Sequence, residues 1–230
     1  MSLTRSADLP LDIPFLRDVP AAARADFLNA GRVMKVPAGR RIMTQGDPAG
    51  DFMILLKGRL RVSATTASGR DLTFRLLDAI QPVGEVAALD GGPRTADVAA
   101  VGPCQVLVLP RQHCLDVIGQ HPALALAMVQ LLCARLRDTS QGLERVATQR
   151  LPSRMAHLLA RLAQEYGQPL PGGGVALPMR LSQGDMASLV AATREAVNKQ
   201  LAEWKAAGWL VMEAGHMTIA DPLRLAAECD

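Results

Sequence analysis

The chain of 230 residues is poor in aromatic side chains, which make up only 3% of it. Aliphatic side chains and methionine must therefore form most of its core. Cysteine is also scarce, and none of the four cysteines forms a Cys-x-x-Cys pair or a cluster with histidine. This spacing is typical of small buried hydrophobic residues; it disfavours a disulfide framework and a zinc or iron–sulfur site, and we expect no metal. The four are Cys104, Cys114, Cys133 and Cys229.

A long hydrophobic run is missing too. The longest one, at 123–136, contains Gln130 and stays below the roughly 18 residues that a membrane span needs. The N-terminus does not have the basic and then apolar segments of a signal peptide. We therefore expect a soluble, cytoplasmic protein without a membrane partner.

Charge of one sign is not in large excess. The net charge of +3 is too small to indicate nucleic acid or a membrane by itself. The hydrophobic content of 49% is ample for a buried core and excludes a disordered chain. At roughly 100–200 residues per domain, the length allows one large or two small domains.

The first 120 residues contain short, evenly spaced extended runs with glycine turns between them, which predict a sandwich, roll or barrel. Strands are predicted at 31–36, 52–56, 60–64, 71–77, 97–100 and 104–109, and a small helix at 20–30. The turns are predicted at Pro37-Ala38-Gly39, Gly46-Asp47-Pro48, Lys57-Gly58 and Ser68-Gly69.

From about residue 122 to 149 the hydrophobic period becomes helical, with one apolar stripe of 4-4-3-4-3 spacing. A helix of this length would be about 40 Å long, and its near-3.5 period favours a two-stranded coiled coil. The alternative is a long helix packed on its own domain. The stripe consists of Met128, Leu132, Leu136, Thr139, Leu143 and Val146.

The C-terminal part has the proportions of a helix-turn-helix. A helix is predicted to start at Leu151-Pro152 and run to about Tyr166, and a strand is predicted at 175–180. Ser182, with Asp185 three residues on, resembles a capping box. Helices at 182–190 and 194–207 are separated by Ala191-Ala192-Thr193, and strands at 209–212 and 217–220 would form a wing.

The segment 82–96 carries the first candidate site. Its Arg94 can hold a phosphate through two parallel charge-assisted hydrogen bonds, and the free amides of a short helix starting near Val86 can add to that anion site. Glu85 would repel a phosphate but can accept a hydrogen bond from a ribose hydroxyl. A simple surface salt bridge between Glu85 and Arg94 is the alternative.

This segment resembles the phosphate-binding cassette of cyclic-nucleotide-binding domains, and Gln45-Gly46-Asp47 also resembles that family's β-roll. The resemblance implies that Gly84 and Glu85 bind the ribose and that Arg94 and Thr95 hold the cyclic phosphate. Ile80 stands where the family often has glycine. Thr95 stands where bacterial cyclic-AMP receptors usually have serine, so the base stays open between adenine and guanine.

Thr139 interrupts the apolar stripe and Ser140 follows it. A hydroxyl there can set the register of a helix pair or bond back to the preceding turn. The string 134–140 resembles the central helix of the cyclic-AMP receptors, in which a Thr-Ser pair contacts adenine from both subunits. The resemblance implies that Thr139 and Ser140 bind the ligand.

The second helix of the hairpin can present polar side chains to the major groove of DNA, where Arg or Lys reads guanine and Glu accepts from cytosine. Residues 151–230 carry seven basic and eight acidic residues, a net charge of −1, which is unusually acidic for a DNA-binding domain. A generic helical hairpin is therefore the alternative. The candidate contacts are Arg194, Glu195, Asn198 and Lys199.

Residues 193–199 are similar to the recognition helix of the CRP/FNR superfamily, and Ala191 replaces the glycine common at its turn. The three sites occur in the order typical of that superfamily. This implies an α+β fold: a cyclic-nucleotide-binding β-roll (1–121), a dimerisation helix (122–150) and a winged helix-turn-helix (151–230).

The resemblance further implies a homodimeric transcription regulator, not an enzyme. It would bind double-stranded DNA and RNA polymerase, and cyclic AMP or cyclic GMP would switch it. Two alternatives stay open. One is a member of the superfamily that is gated otherwise or needs no ligand. The other is a cyclic-nucleotide-binding regulatory subunit that acts on a protein partner.

Overall fold

The structure is a computed structural model that describes residues 3–5, 12–65, 71–179, 181–213 and 215–229. The predicted turn at Ser68-Gly69 lies outside these residues, as do Arg180 and Ala214 of the predicted strand and wing turn. The chain forms two compact units, Met1–Asp138 and Thr139–Asp230. Each unit has its own buried apolar core.

The N-terminal unit is built mainly of strands. They are β1 (Leu3–Arg5), β2 (Arg32–Val36), β3 (Arg41–Met43), β4 (Phe52–Lys57), β5 (Leu60–Thr65), β6 (Asp71–Leu77), β7 (Gln81–Val83), β8 (Asp97–Ala100) and β9 (Cys104–Leu109). Its helices are α1 (Ala21–Leu28), α2 (Glu85–Asp90), α3 (Arg111–Gln120) and the first part of α4 (Pro122–Thr148), and Pro14–Leu16 form a single 3-10 turn. The six predicted strands are confirmed within one residue at each end.

Two antiparallel sheets form a β-roll. Their strand orders are β1-β2-β9-β4-β7 and β3-β8-β5-β6. Alternating apolar residues of β2, β4 and β9 fill the space between the sheets, among them Met34, Leu55 and Val106. The opposite face of the first sheet packs against helices through Phe27, Leu107 and other apolar residues. The roll therefore holds β7 and the following helix α2 at the edge of the first sheet.

The C-terminal unit is a winged helix-turn-helix. Its helices after α4 are α5 (Leu151–Tyr166), α6 (Gln183–Leu189), α7 (Arg194–Ala206) and α8 (Pro222–Ala227). Its strands are β10 (Gln168–Pro169), β11 (Val175–Leu177), β12 (Leu210–Glu213) and β13 (His216–Ile219), and they form one sheet in the order β10-β11-β13-β12. The predicted strand at 175–180 ends earlier, at Leu177.

Local sequence signals fix the ends of these helices. The predicted capping box of α6 is present, because the Asp185 N–H donates to Ser182 Oγ at 3.0 Å and the Ser182 N–H donates to Asp185 Oδ2 at 3.2 Å. Pro152 lies in the first turn of α5, as predicted. Met186, Val197 and Leu201 are buried between the helices of the hairpin and the rest of the unit.

Among the described residues, no single helix has the length and apolar character to cross a membrane. Helices α3 and α4 meet those criteria only when taken together, and they are bent by 116° relative to each other.

Candidate functional site

Gly84 forms the turn that opens the candidate ligand site. It follows β7, and its φ of 77° lies in the left-handed region that favours glycine. A methyl group at this position would lie 2.6 Å from Nη1 of Arg94 and 2.5 Å from Cε of Met43. Glycine is therefore needed for its conformation and for the close approach of Arg94. Helix α2 begins at the next residue, Glu85, one residue earlier than predicted.

Arg94 is buried, with 7% of its surface exposed, and two backbone carbonyls fix its guanidinium. Nη1 donates to the Gly84 carbonyl and Nη2 donates to the Asp51 carbonyl, both at 2.9 Å. The Arg94 N–H donates to the Asp47 carbonyl at 2.8 Å, and the Arg94 carbonyl accepts from the Gly46 N–H at 2.9 Å. The Gly46-Asp47 turn therefore positions the loop that carries Arg94.

Arg94 keeps N–H groups that can bind an anion, although three carboxylates lie near it. Burial lowers the pKa of its guanidinium, while the carboxylates of Asp51, Asp47 and Glu85 raise that pKa in opposition. Arginine nevertheless stays protonated in proteins. Two of its five N–H groups bond to carbonyls, and the others have no acceptor within the described parts of the chain. A fixed cationic fork with N–H groups to spare can bind a phosphate.

Glu85 is buried as well, with 4% of its surface exposed, and it pairs with Arg135 of α4. Its Oε1 lies 3.0 Å from Nε of Arg135, which also donates through Nη2 to the Pro82 carbonyl. Burial lowers the pKa of Arg135, and Glu85 opposes that effect. The alternative of a surface salt bridge between Glu85 and Arg94 is therefore wrong. Sequence reasoning missed Arg135, because no local pattern pairs a helix residue with a carboxylate so far upstream.

Thr95 follows Arg94 and is exposed. After it the chain turns inward at Asp97, whose Oδ1 accepts from the Gln45 N–H at 2.9 Å. The structure thus brings Gly84, Glu85 and Arg94 together and leaves Thr95 at the exposed end of the loop. The assignment of these residues to the ribose and the phosphate stays a prediction.

Helix α4 does not use the predicted stripe as one face. Met128 is buried in the core of the N-terminal unit and Leu132 is half-buried, so this half of the stripe packs on its own domain. The exposed apolar row begins earlier, at Leu126 and Val129, and continues through Cys133, Leu136 and Leu143. Its 3-4-3 spacing and the heptad from Leu136 to Leu143 are those of a coiled-coil seam.

Thr139 and Ser140 both lie on α4 and are exposed. Ser140, seven residues after Cys133, falls in the exposed apolar row, and Thr139 lies beside it. The polar break in the row is therefore at Ser140 and not at Thr139. Their contact with a ligand stays a prediction.

Helix α7 presents three of its four candidate DNA contacts. The Thr193 hydroxyl caps this helix by accepting from the Ala196 N–H at 3.2 Å. Arg194, Glu195 and Lys199 follow in its first two turns and are exposed. An exposed polar helix start is the part of a helix-turn-helix that enters the major groove.

Asn198 does not face outward as predicted. The residue is half-buried, and its Oδ1 is screened from solvent without a hydrogen-bond partner among the described residues. It lies next to Val197, which packs into the core of the unit. Its position one residue after Val197 turns it partly inward, so it is less accessible than its three neighbours.

Two residues other than glycine have positive φ among those that the structure describes: Ile80 at 66° and Ala191 at 51°. Both stand where the resemblance points to a glycine. The turn at Ala191 therefore has the left-handed conformation for which glycine is suited. Each costs roughly 1–2 kcal/mol relative to a right-handed conformation, and more for the β-branched Ile80. Nη1 of Arg154 approaches the Ala191 carbonyl at 3.5 Å.

Two family models match the chain. The model of the cyclic nucleotide-binding domain matches residues 33–121, which include the Gly84, Glu85 and Arg94 cluster. The model of the Crp-like helix-turn-helix domain matches residues 153–228, which include α6 and α7. Together they cover most of the chain.

Known proteins are similar to this chain over most of its length. The chain is 29% identical over 190 residues to a CRP-like cAMP-activated global transcriptional regulator of Mycobacterium tuberculosis, covering 83% of this chain and 84% of that protein. It is 26% identical over 226 residues to a global nitrogen regulator of Synechocystis, covering 95% and 99%. The solved structure of a transcriptional regulator from Thermus thermophilus is similar with a TM-score of 0.64, at 26% identity over 86% of this chain and 97% of that one.

Proposed function

Because the chain belongs to the CRP/FNR family of transcription regulators, we propose that it is a homodimer whose DNA affinity is switched by a cyclic nucleotide. Cyclic AMP is the favoured effector, with cyclic GMP as the alternative. The observation that carries this proposal is the buried Arg94 guanidinium, held against Gly84 with Glu85 beside it. Burying a guanidinium is costly unless an opposite charge pairs with it, and a bound phosphate would supply that charge.

The cyclic phosphate would take the N–H groups of Arg94 that the carbonyls of Gly84 and Asp51 leave unused. Thr95 would add a hydroxyl donor from the exposed end of the loop. Glu85 would accept from the ribose hydroxyl and, in doing so, share its carboxylate with Arg135. The ligand would therefore act on α4 through Arg135.

A second copy of the chain would cover the exposed apolar row of α4. Leu136 and Leu143 are 67% and 70% exposed, which is costly for a row of large aliphatic side chains in water. A parallel partner helix would bury them in a coiled-coil seam. Thr139 and Ser140 would then contact the base at this seam, and they would link ligand binding to the arrangement of the two subunits.

The helix-turn-helix would read an inverted repeat, with Arg194, Glu195 and Lys199 of each subunit in the major groove. Asn198 would contribute less than its neighbours because its amide oxygen is turned inward. As a regulator of transcription the dimer would act in the cytoplasm, where its DNA lies, and would contact RNA polymerase.

The name of the Synechocystis relative supports one other possibility, a family member that answers to a different signal. Calorimetry of the purified protein against cyclic AMP, cyclic GMP and cyclic di-GMP distinguishes a cyclic-nucleotide switch from a response to a different signal. We expect saturable binding of cyclic AMP that Arg94→Ala removes. Absence of binding by all three ligands would refute the cyclic-nucleotide switch.

A further inference from the structure

Arg75 of strand β6 forms an ion pair with helix α4. Its Nη2 lies 3.2 Å from Oδ2 of Asp138, and the two side chains are 25% and 63% exposed. Strand β6 is an edge strand of the second sheet, and a β-bulge interrupts its pairing with β5, since Val62 pairs with Arg75 but Ser63 pairs with Thr73. A bulge redirects the side chains beside it, and Arg75 here reaches α4.

The carboxylate that Arg75 holds is also a neighbour of Arg135. Asp138 and Arg135 are three positions apart on α4, so their side chains lie on the same face of the helix. Burial lowers the pKa of Arg135; among the charges around it, Glu85 and Asp138 raise that pKa and Arg75 lowers it. The charges therefore alternate in sign from Glu85 through Arg135 and Asp138 to Arg75.

This order gives Arg135 two carboxylates to choose from. In the structure it pairs with Glu85, whose Oε1 lies 3.0 Å from its Nε, and the two side chains are only 6% and 18% exposed. A free Asp138 would attract the same guanidinium from one helical turn away. Arg75 opposes that in two ways, because it occupies the Asp138 carboxylate and because its own positive charge repels Arg135.

We propose that Arg75 is a positioning residue for the candidate ligand site: by holding Asp138, it leaves Arg135 to Glu85. It would thus keep α4 joined to the carboxylate that is proposed to bind the ribose. The proposal rests on the function proposed above. Because the competing pair is exposed, its effect on an equilibrium should be about two- to fivefold.

A simple latch between β6 and α4 would behave differently. If the ion pair only tied the strand to the helix, the loss of either partner would be equally harmful, and the loss of both would be no better. If Arg75 restrains a competitor, Asp138→Asn alone is harmless, and the same substitution repairs Arg75→Gln.

The test compares full-length wild type with Arg75→Gln, Asp138→Asn and the double variant. The matched control series is Arg17→Gln, Asp12→Asn and their double variant, which dissect another exposed ion pair of the N-terminal unit, at 3.1 Å.

Two quantities are measured. The first is the exchange with water of the Arg135 Nε proton, followed by NMR in ligand-free protein with labelled arginine and assigned through Arg135→Lys. This Nε is screened from solvent, so its exchange in wild type should be slow. The second is the ratio of DNA affinities with and without saturating cyclic AMP, or cyclic GMP, on the motif selected from random DNA.

Arg75→Gln should speed the exchange and lower the affinity ratio, each by about two- to fivefold. Asp138→Asn, the double variant and the control series should match wild type in both. Wild-type values for Arg75→Gln would overturn the proposal. A loss in Asp138→Asn, or a double variant as impaired as Arg75→Gln, would also overturn it, since either result indicates a latch.

Failure of the proposed function would look different. Wild type itself would then bind DNA equally well with and without either nucleotide, while Arg75→Gln would still speed the exchange of the Arg135 proton and Asp138→Asn would still restore it.

Discussion

The candidate ligand site and the recognition helix hold their charged side chains in opposite ways. Glu85 and Arg94 are almost fully buried, with 4% and 7% of their surfaces exposed, whereas Arg194, Glu195 and Lys199 are exposed. In the first site, the folded chain supplies the polar partners before any ligand arrives. In the second, water solvates the side chains until DNA replaces it.

This difference follows from the size of the two proposed partners. A cyclic nucleotide can be enclosed, so a fixed fork and a glycine turn can be built around its phosphate at the cost of desolvating Arg94. A DNA duplex cannot be enclosed, so its readers must stay at the surface and adapt. We therefore expect substitutions in the segment 82–96 to lower both the stability of the fold and the affinity for the ligand. Substitutions in α7 should change mainly the DNA sequence preference.

Arg94→Ala tests the buried side of the comparison and has the largest expected effect. Cyclic-nucleotide binding should weaken by about 2–4 kcal/mol, because the charge-assisted bonds are lost and the phosphate is left poorly paired. Calorimetry measures this loss of affinity. Unchanged affinity in a folded variant would remove Arg94 from the ligand site.

Gly84→Ala tests whether the cassette depends on close packing. The left-handed φ and the contact with Nη1 of Arg94 should together lower the free energy of unfolding by about 2–3 kcal/mol. The control is Gly39→Ala, where φ is 74° but nothing lies within 4 Å of the added methyl group. If both variants lose the same stability, contact with Arg94 adds nothing.

Glu195→Ala tests the exposed side. It should relax the preference at one G·C pair by roughly 1–3 kcal/mol while general affinity holds, because removing a negative charge favours phosphate contact. Selection from random DNA measures the preference. Glu203→Ala, exposed and later on the same helix, should keep the wild-type motif. An unchanged motif for Glu195→Ala would show that α7 does not read bases in this way.

Thr139→Ala asks whether the two regions are linked. The ratio of DNA affinities with and without saturating ligand should fall by about 1 kcal/mol, roughly fivefold, with little change in folding. Thr148→Ala on the same helix is the control, since its hydroxyl donates to the Glu144 carbonyl at 2.8 Å. A wild-type ratio for Thr139→Ala would limit this residue to a role in helix packing.

Ala191→Gly has the smallest expected effect and the opposite sign. Glycine should relieve the positive φ at this exposed position and stabilise the C-terminal unit by about 0.5–1 kcal/mol. Trp204 and Trp209, the two tryptophans of the chain, both lie in this unit, so their fluorescence follows its denaturant unfolding. Ala192→Gly, without a positive φ, should not stabilise. If Ala191→Gly unfolds more easily than wild type, the positive φ of Ala191 is not a source of strain.

The two regions also differ in how much of them could be predicted. Strand alternation, glycine turns and the Ser182 cap are local signals, and they predicted the long strands and both helices of the hairpin. Strands of three residues, such as β3 and β7, leave too short a pattern to recognise. The resemblance of segment 82–96 to a phosphate-binding cassette predicted that Gly84, Glu85 and Arg94 share one site.

What could not be predicted depends on contacts between distant residues. The partner of Glu85 is Arg135, and that pairing is set by how α4 packs on the roll. The same packing buries Met128 and moves the exposed row to Leu126 and Val129. Asn198 is likewise turned inward because its neighbour Val197 packs into the core. Helical periodicity predicts only approximately which side chains of α7 face the core.

The most direct test of the central claim is the DNA affinity of the full-length protein with and without saturating cyclic AMP at one salt concentration, measured by fluorescence anisotropy on its selected motif. We predict that the ligand raises affinity about tenfold or more, within the usual range of coupling between two sites, and that Arg94→Ala abolishes the rise. Equal affinities with and without cyclic AMP, with cyclic GMP equally ineffective, would contradict the account of a cyclic-nucleotide switch.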